Sequence, residues 1–125
     1  MKTAHILGLA GAALFVAAAP AMAHHSTAMF DQTRTVELEG TVVEFQYTNP
    51  HSWLIIEIEE EDGTKTTWGF EAEGPGTLMR QGIGKNTFPA GTEVTVHGNP
   101  MKDGRPAAAW IDTVMPDGTV VSPRG

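Results

Sequence analysis

The sequence predicts an all-β fold, a small five-stranded OB-like barrel with one short helix between its third and fourth strands. Three observations predict it. Five runs of alternating apolar and polar residues are separated by Gly, Pro, Asn and Asp turn signals. The first run is long and contains Gly40, a residue type that marks a bulge or sharp coil where a strand bends around a barrel. Only one break between strands, after Gly74-Pro75-Gly76, has room for a helix. Three strands, a helix and two further strands is the OB order, and a small β-sandwich is the alternative.

The first strand is read over Thr35 to Tyr47. Val36, Leu38, Gly40 and Val42 share one face, while Val43, Phe45 and Tyr47 share the other, so the apolar register changes sides near Gly40. Pro50 lacks a backbone donor and ends that strand. The stretch Tyr47 to Trp53 is therefore a tight polar turn that holds His51. Trp53 to Glu59 is the second strand, with Leu54, Ile56 and Ile58 inward. Asp62-Gly63 closes a hairpin onto the third strand, Thr64 to Ala72, where Thr66, Trp68 and Phe70 share a face. Thr77 to Gln81 forms the short helix, with Leu78 and Met79 inward and Gly82 as its stop. The fourth strand is Thr92 to Gly98, with Val94 and Val96 inward. Asn99 to Gly104 is a hairpin loop, and Ala107 to Met115 is the fifth strand. Asp117-Gly118 precedes a last short run, Thr119 to Val121.

The chain of 125 residues is organised in three parts. Lys2, the apolar run Ile6 to Ala19 and the A-x-A sequence Ala21-Met22-Ala23 read as a signal peptide over residues 1–23. An uncleaved anchor is the alternative, although the run is short and rich in Ala and Gly for a membrane span. Residues 24–34 form an N-terminal segment in which Met29 and Phe30 can pin the chain to the core and Asp31 with Thr33 reads as a turn. Residues 35–125 form the β domain. Cleavage after Ala23 places the protein in the bacterial periplasm or outside the cell, with no membrane span left.

Charge and composition exclude several functions. Eight Lys and Arg stand against 15 Asp and Glu, for a net charge of −7 that becomes one unit more negative without Lys2. Such a chain repels the phosphates of nucleic acid and the surface of an anionic membrane, and it attracts cations. There is no cysteine, hence no disulfide and no thiolate nucleophile or ligand. No G-x-S-x-G elbow, phosphate loop or dinucleotide fingerprint occurs.

Several motifs occur in order along residues 23–100: A-H-H-S…F-D (Ala23 to Ser26, Phe30, Asp31), L-E-G-x-V (Leu38 to Val42) and N-P-H-S (Asn49 to Ser52). Trp68 with Glu71 and G-x-x-V-x-V-x-G-x-P (Gly91 to Pro100) complete the series. Together they resemble a family of small exported bacterial proteins of unknown function. The resemblance implies export and a small β domain, and no reaction. Its histidine motifs match at His24, His25 and His51.

The candidate metal ligands are His24, His25, His51 and His97. A mature N-terminus at His24 offers its α-amine and ring nitrogen to one ion, a nitrogen donor set that favours Cu(II), as in histidine-brace proteins. His51, in a polar loop, supplies a further nitrogen. His97 joins them if the fourth strand ends near the Asn49–Ser52 turn. The bland alternatives are a solvated terminus for His24 and His25, a loop-ordering role for His51 and a structural role for His97. Glu71 and Glu73 are read as oxygen ligands, as a general base beside His51, or as a solvated edge. The run Glu57, Glu59 to Asp62 reads as an exposed edge, because its spacing is not that of a calcium loop. Trp53, Trp68 and Trp110, with Phe70, form either a ligand face or core. Two functions follow: a periplasmic copper-binding protein, or a non-enzymatic envelope module that binds a small ligand or a protein partner through Trp53, Trp68 and Glu71. Catalysis is not required by either.

Overall fold

A computed structural model describes residues 25–125. The signal-peptide reading of residues 1–23 and His24 lie outside the described residues. The elements are α1 (His25–Ala28), β1 (Val36–Gln46), β2 (His51–Glu59), β3 (Lys65–Glu73), α2 (Pro75–Arg80), β4 (Glu93–Pro100), β5 (Ala107–Val114) and β6 (Val120–Val121). The strand order is β3-β2-β1-β4-β5-β6, and β3 also pairs with β5. That last pairing is parallel, Gly69↔Ala107 to Glu71↔Ala109, and it closes five strands into a barrel. Closure and the helix between the third and fourth strands match the barrel expectation; the sandwich alternative does not hold.

The alternation of β2 and β4 sets the core. Ser52, Leu54, Ile56 and Ile58 are buried on β2, and Val94 and Val96 on β4. Phe70, Ala108 and Trp110 join them from β3 and β5. Each intervening residue turns outward, as the period of two requires. Trp110 donates its indole N–H to Thr113 Oγ1 at 2.9 Å, so the polar atom of the largest buried side chain is satisfied.

The register change in β1 differs from the expectation in place and cause. The irregularity lies between Val42 and Glu44, not at Gly40. Val43 is the extra residue and is exposed, so Val42 and, beyond the bulge, Phe45 and Tyr47 all reach the same core. Gly40 has a different task. A Cβ there would sit 2.6 Å from the Glu57 carbonyl oxygen, so only glycine lets β1 coil this tightly over β2.

α2 ends in a Schellman motif, with the Ile83 N–H donating to Leu78 O and the Gly82 N–H to Met79 O. Gly82 sits at φ 78, as the motif needs. Leu78 and Ile83 then meet in the core, but Met79, expected inward, is 68% exposed. A six-residue helix buries one narrow face, and Leu78 already occupies it. Phe88, from the loop after α2, also enters the core and packs edge-on against Phe45 and Trp110. β4 continues through Asn99 and Pro100, which were expected in a loop. Phe30 pairs with Met101 and is buried, which pins the N-terminal segment to that end of the barrel. Among the described residues no helix is long and apolar enough to cross a membrane.

Candidate functional site

His51 is not in the turn. The turn is confined to residues 47–50, with a cis Asn49-Pro50 bond, and His51 is the first residue of β2. It pairs with Glu73, and Trp53 pairs with Glu71, so all four side chains share the outer face of the β2–β3 ladder. The diagonal from His51 to Glu71 is bonded: His51 Nδ1 lies 2.7 Å from Glu71 Oε1. The Glu71 side chain is only 10% exposed. That burial pushes its carboxyl above the ordinary range, His51 opposes the shift and neighbouring Glu73 adds to it.

His51, Glu71 and Glu73, though not Trp53, line a cavity of about 250 Å³. Its walls come from far apart in the chain. The N-terminal segment contributes Thr27, Phe30 and Gln32, the strand ends contribute His51, Glu71, Glu73, Asn99 and Ala109, and the C-terminal segment contributes Pro123 and Arg124. Asn99 is nearly buried and donates through Nδ2 to the Arg34 carbonyl at 2.8 Å. Arg124 donates Nε to the Trp110 carbonyl at 2.7 Å and Nη2 to Asn99 Oδ1 at 3.1 Å.

With Nδ1 held by a carboxylate, His51 keeps Nε2 as the nitrogen available to a ligand. A carboxylate on the far ring nitrogen is the usual support of a metal-ligating histidine, since it sets the tautomer and raises the basicity of the other nitrogen. It also meets the hydrogen-bond reach that a Glu71–His51 general base requires. No serine or threonine hydroxyl bonds the ring among the described residues. No group of three or more His, Asp and Glu among them is arranged to hold a metal ion.

The other expected site residues separate. His97 does not line this cavity. It stands on the outer face of β4 between Glu37 of β1 and Asp112 of β5, with Nε2 2.8 Å from Glu37 Oε2 and Nδ1 2.5 Å from Asp112 Oδ1. Both ring nitrogens are engaged, which leaves it no nitrogen for an ion shared with His51. Hydrogen bonds donated by the ring to Glu37 first and then to Asp112 raise its pKa above the usual histidine value. His25 opens α1, and its side chain, like His24, lies outside the described residues. Trp53 and Trp68 do not form one aromatic face. Trp68 pairs with Ile56 and packs against the core with Phe70 and Trp110, whereas Trp53 lies on the outer face, its ring over Gly69.

Asn99 and Arg124 were not found from the sequence. Nothing in the pattern around Arg124 signals a site, because its partners are backbone carbonyls whose positions depend on the barrel. Glu73 carried a readable signal, since its two-residue spacing from Glu71 puts both on one strand face. No curated protein and no solved structure gives a significant match to this chain. A family model does match, over residues 12–109, and the chain belongs to that family, a family of unknown function (DUF6152).

Proposed function

We propose that this chain is an exported bacterial protein, periplasmic or secreted, that binds a transition-metal ion, copper by preference, through His51 Nε2. The remaining nitrogens come from the mature N-terminus: the α-amine and ring of His24 after cleavage at Ala23, with His25 as the neighbouring donor. The observation that carries the reading is the 2.7 Å contact of His51 Nδ1 with Glu71, which orients the ring and leaves Nε2 as its free nitrogen. A second observation supports the N-terminal donors. Thr27, three residues after His24, lines the same cavity as His51. The acidic chain favours cation capture, and an all-nitrogen set favours Cu(II). Such a protein stores, carries or senses the ion; no catalytic step is assigned to it.

The test is a Cu(II) titration of protein purified from the periplasm, with the N-terminus fixed by mass spectrometry. A sample with one extra residue before His24 and a His51→Ala variant run beside it. Tight one-to-one binding that both changes weaken supports the site. Equal affinity in all three samples removes it.

A further inference from the structure

The cavity beside His51 holds opposite charges that do not pair with each other. Glu71 and Glu73 line it from the end of β3. Arg124 lines it from the C-terminal segment, over the backbone of Trp110 and Ala109, and Ala109 is the register partner of Glu71 across the parallel β3–β5 ladder. Yet no ion pair joins Arg124 to a carboxylate among the described residues. Its guanidinium is held instead by two backbone carbonyls and by Asn99, whose own amide is fixed by the Arg34 carbonyl. A cation tied down in this way is preorganised, and Nη1 remains outside those bonds. Ala72, Ala109 and Pro123 also line the cavity.

We propose that this cavity binds a free α-amino acid, with its carboxylate on Arg124 and its ammonium at Glu71 and Glu73. The charges select the class. A simple carboxylate meets Arg124 but is repelled by two glutamates. A simple amine meets the glutamates and gains nothing from Arg124. A zwitterion meets both and leaves the charge of the site unchanged. The volume of about 250 Å³ suits a ligand of this size rather than a larger one. The assignment does not depend on metal, because it uses neither His51 Nε2 nor the N-terminus.

The experiment is a titration of the full chain in EDTA, read by calorimetry and by amide chemical shifts. The probes are L-alanine, L-leucine and L-phenylalanine, with phenethylamine and 3-phenylpropionate as the amine-only and acid-only partners of phenylalanine. At least one amino acid is expected to saturate below about 10 mM, with phenethylamine and 3-phenylpropionate at least roughly tenfold weaker than phenylalanine. Arg124→Gln and Glu73→Gln are each expected to weaken the bound amino acid by roughly tenfold or more. Glu73 is exposed, so its substitution leaves the fold intact and decides the question if Arg124→Gln disturbs the C-terminal segment. No saturable binding by any amino acid, single-charge partners that bind as well as phenylalanine, or an unchanged affinity in Glu73→Gln would overturn the proposal. Because the chelator is present throughout, these outcomes stand whether the copper titration succeeds or fails.

Discussion

His51 and His97 each sit on an outward position of a β-strand, each beside carboxylates, and they differ in two respects. His51 has a carboxylate on one ring nitrogen and a cavity beside it. His97 has a carboxylate on both nitrogens and does not line that cavity. The first arrangement orients a ring and leaves a lone pair to use. The second consumes the ring and ties three strands together. The comparison shows that a histidine's chemistry in a small barrel depends on how many of its nitrogens the neighbouring strands occupy.

Metal affinity offers the largest way to break this contrast. Replacing His51 by Ala is expected to weaken Cu(II) binding about a hundredfold, or about 2.7 kcal/mol, while His97→Ala changes it less than about threefold. Competition titration against a chelator of known affinity measures both. Equal losses would show that the two histidines do not differ as described.

The next effect sharpens the role of Glu71. Glu71→Gln keeps a group on Nδ1 but removes the charge beside the ring. Copper affinity should fall by about 10-fold, within the 10–100-fold range seen for such outer partners, in the same titration. Asp112→Asn, the formally similar change at His97, should leave it unaltered.

Stability against pH separates the two histidines in the other direction. The folded pKa of His97 is raised, so folding takes up a proton there. The resulting stabilisation is complete below the unfolded value near 6.5 and is lost as pH climbs through the higher folded value. Thermal melts of wild type and His97→Gln should therefore differ by about 2–5 °C at about pH 6, with wild type higher, and the gap should narrow as pH rises. A gap that widens with pH would reverse the sign of the assignment.

Glu37→Gln is expected to give the smallest effect. The Glu37 side chain is 67% exposed, against 28% for Asp112. Its loss should cost about 0.2–1 kcal/mol at pH 6 in denaturant unfolding, and less in high salt. A larger loss than that of Asp112→Asn would mean that the Glu37 contact dominates the strap.

Much of the barrel is legible in the alternation of its strands. Leu54, Ile56 and Ile58, and Val94 with Val96, point inward as their period predicts, because solvent on one side and core on the other enforces it. Asp62-Gly63 likewise closes its hairpin, with Thr64 N–H bonded to Asp62 Oδ1 at 2.9 Å. The bulge was less legible. Two adjacent valines, Val42 and Val43, fit either face in the sequence, and only pairing with β2 shows which one is extra. The site was legible in part. His51 and Glu71 were both candidates, but nothing in a chain where they lie 20 positions apart places them in contact.

What the sequence determined by itself is the set of strands, their buried faces, their turns and the acidic charge, since each follows from local periodicity, from backbone preference or from composition. What only the tertiary structure decided is which strands meet. The parallel closure of β3 on β5 brings Glu71 beside Ala109 and so beside Arg124, and the β2–β3 register gives His51 its carboxylate. The β1–β4–β5 ladders take both nitrogens of His97. Register is a property of pairs of strands, each pair adding its energy only after the barrel closes, so it cannot be read from any one of them.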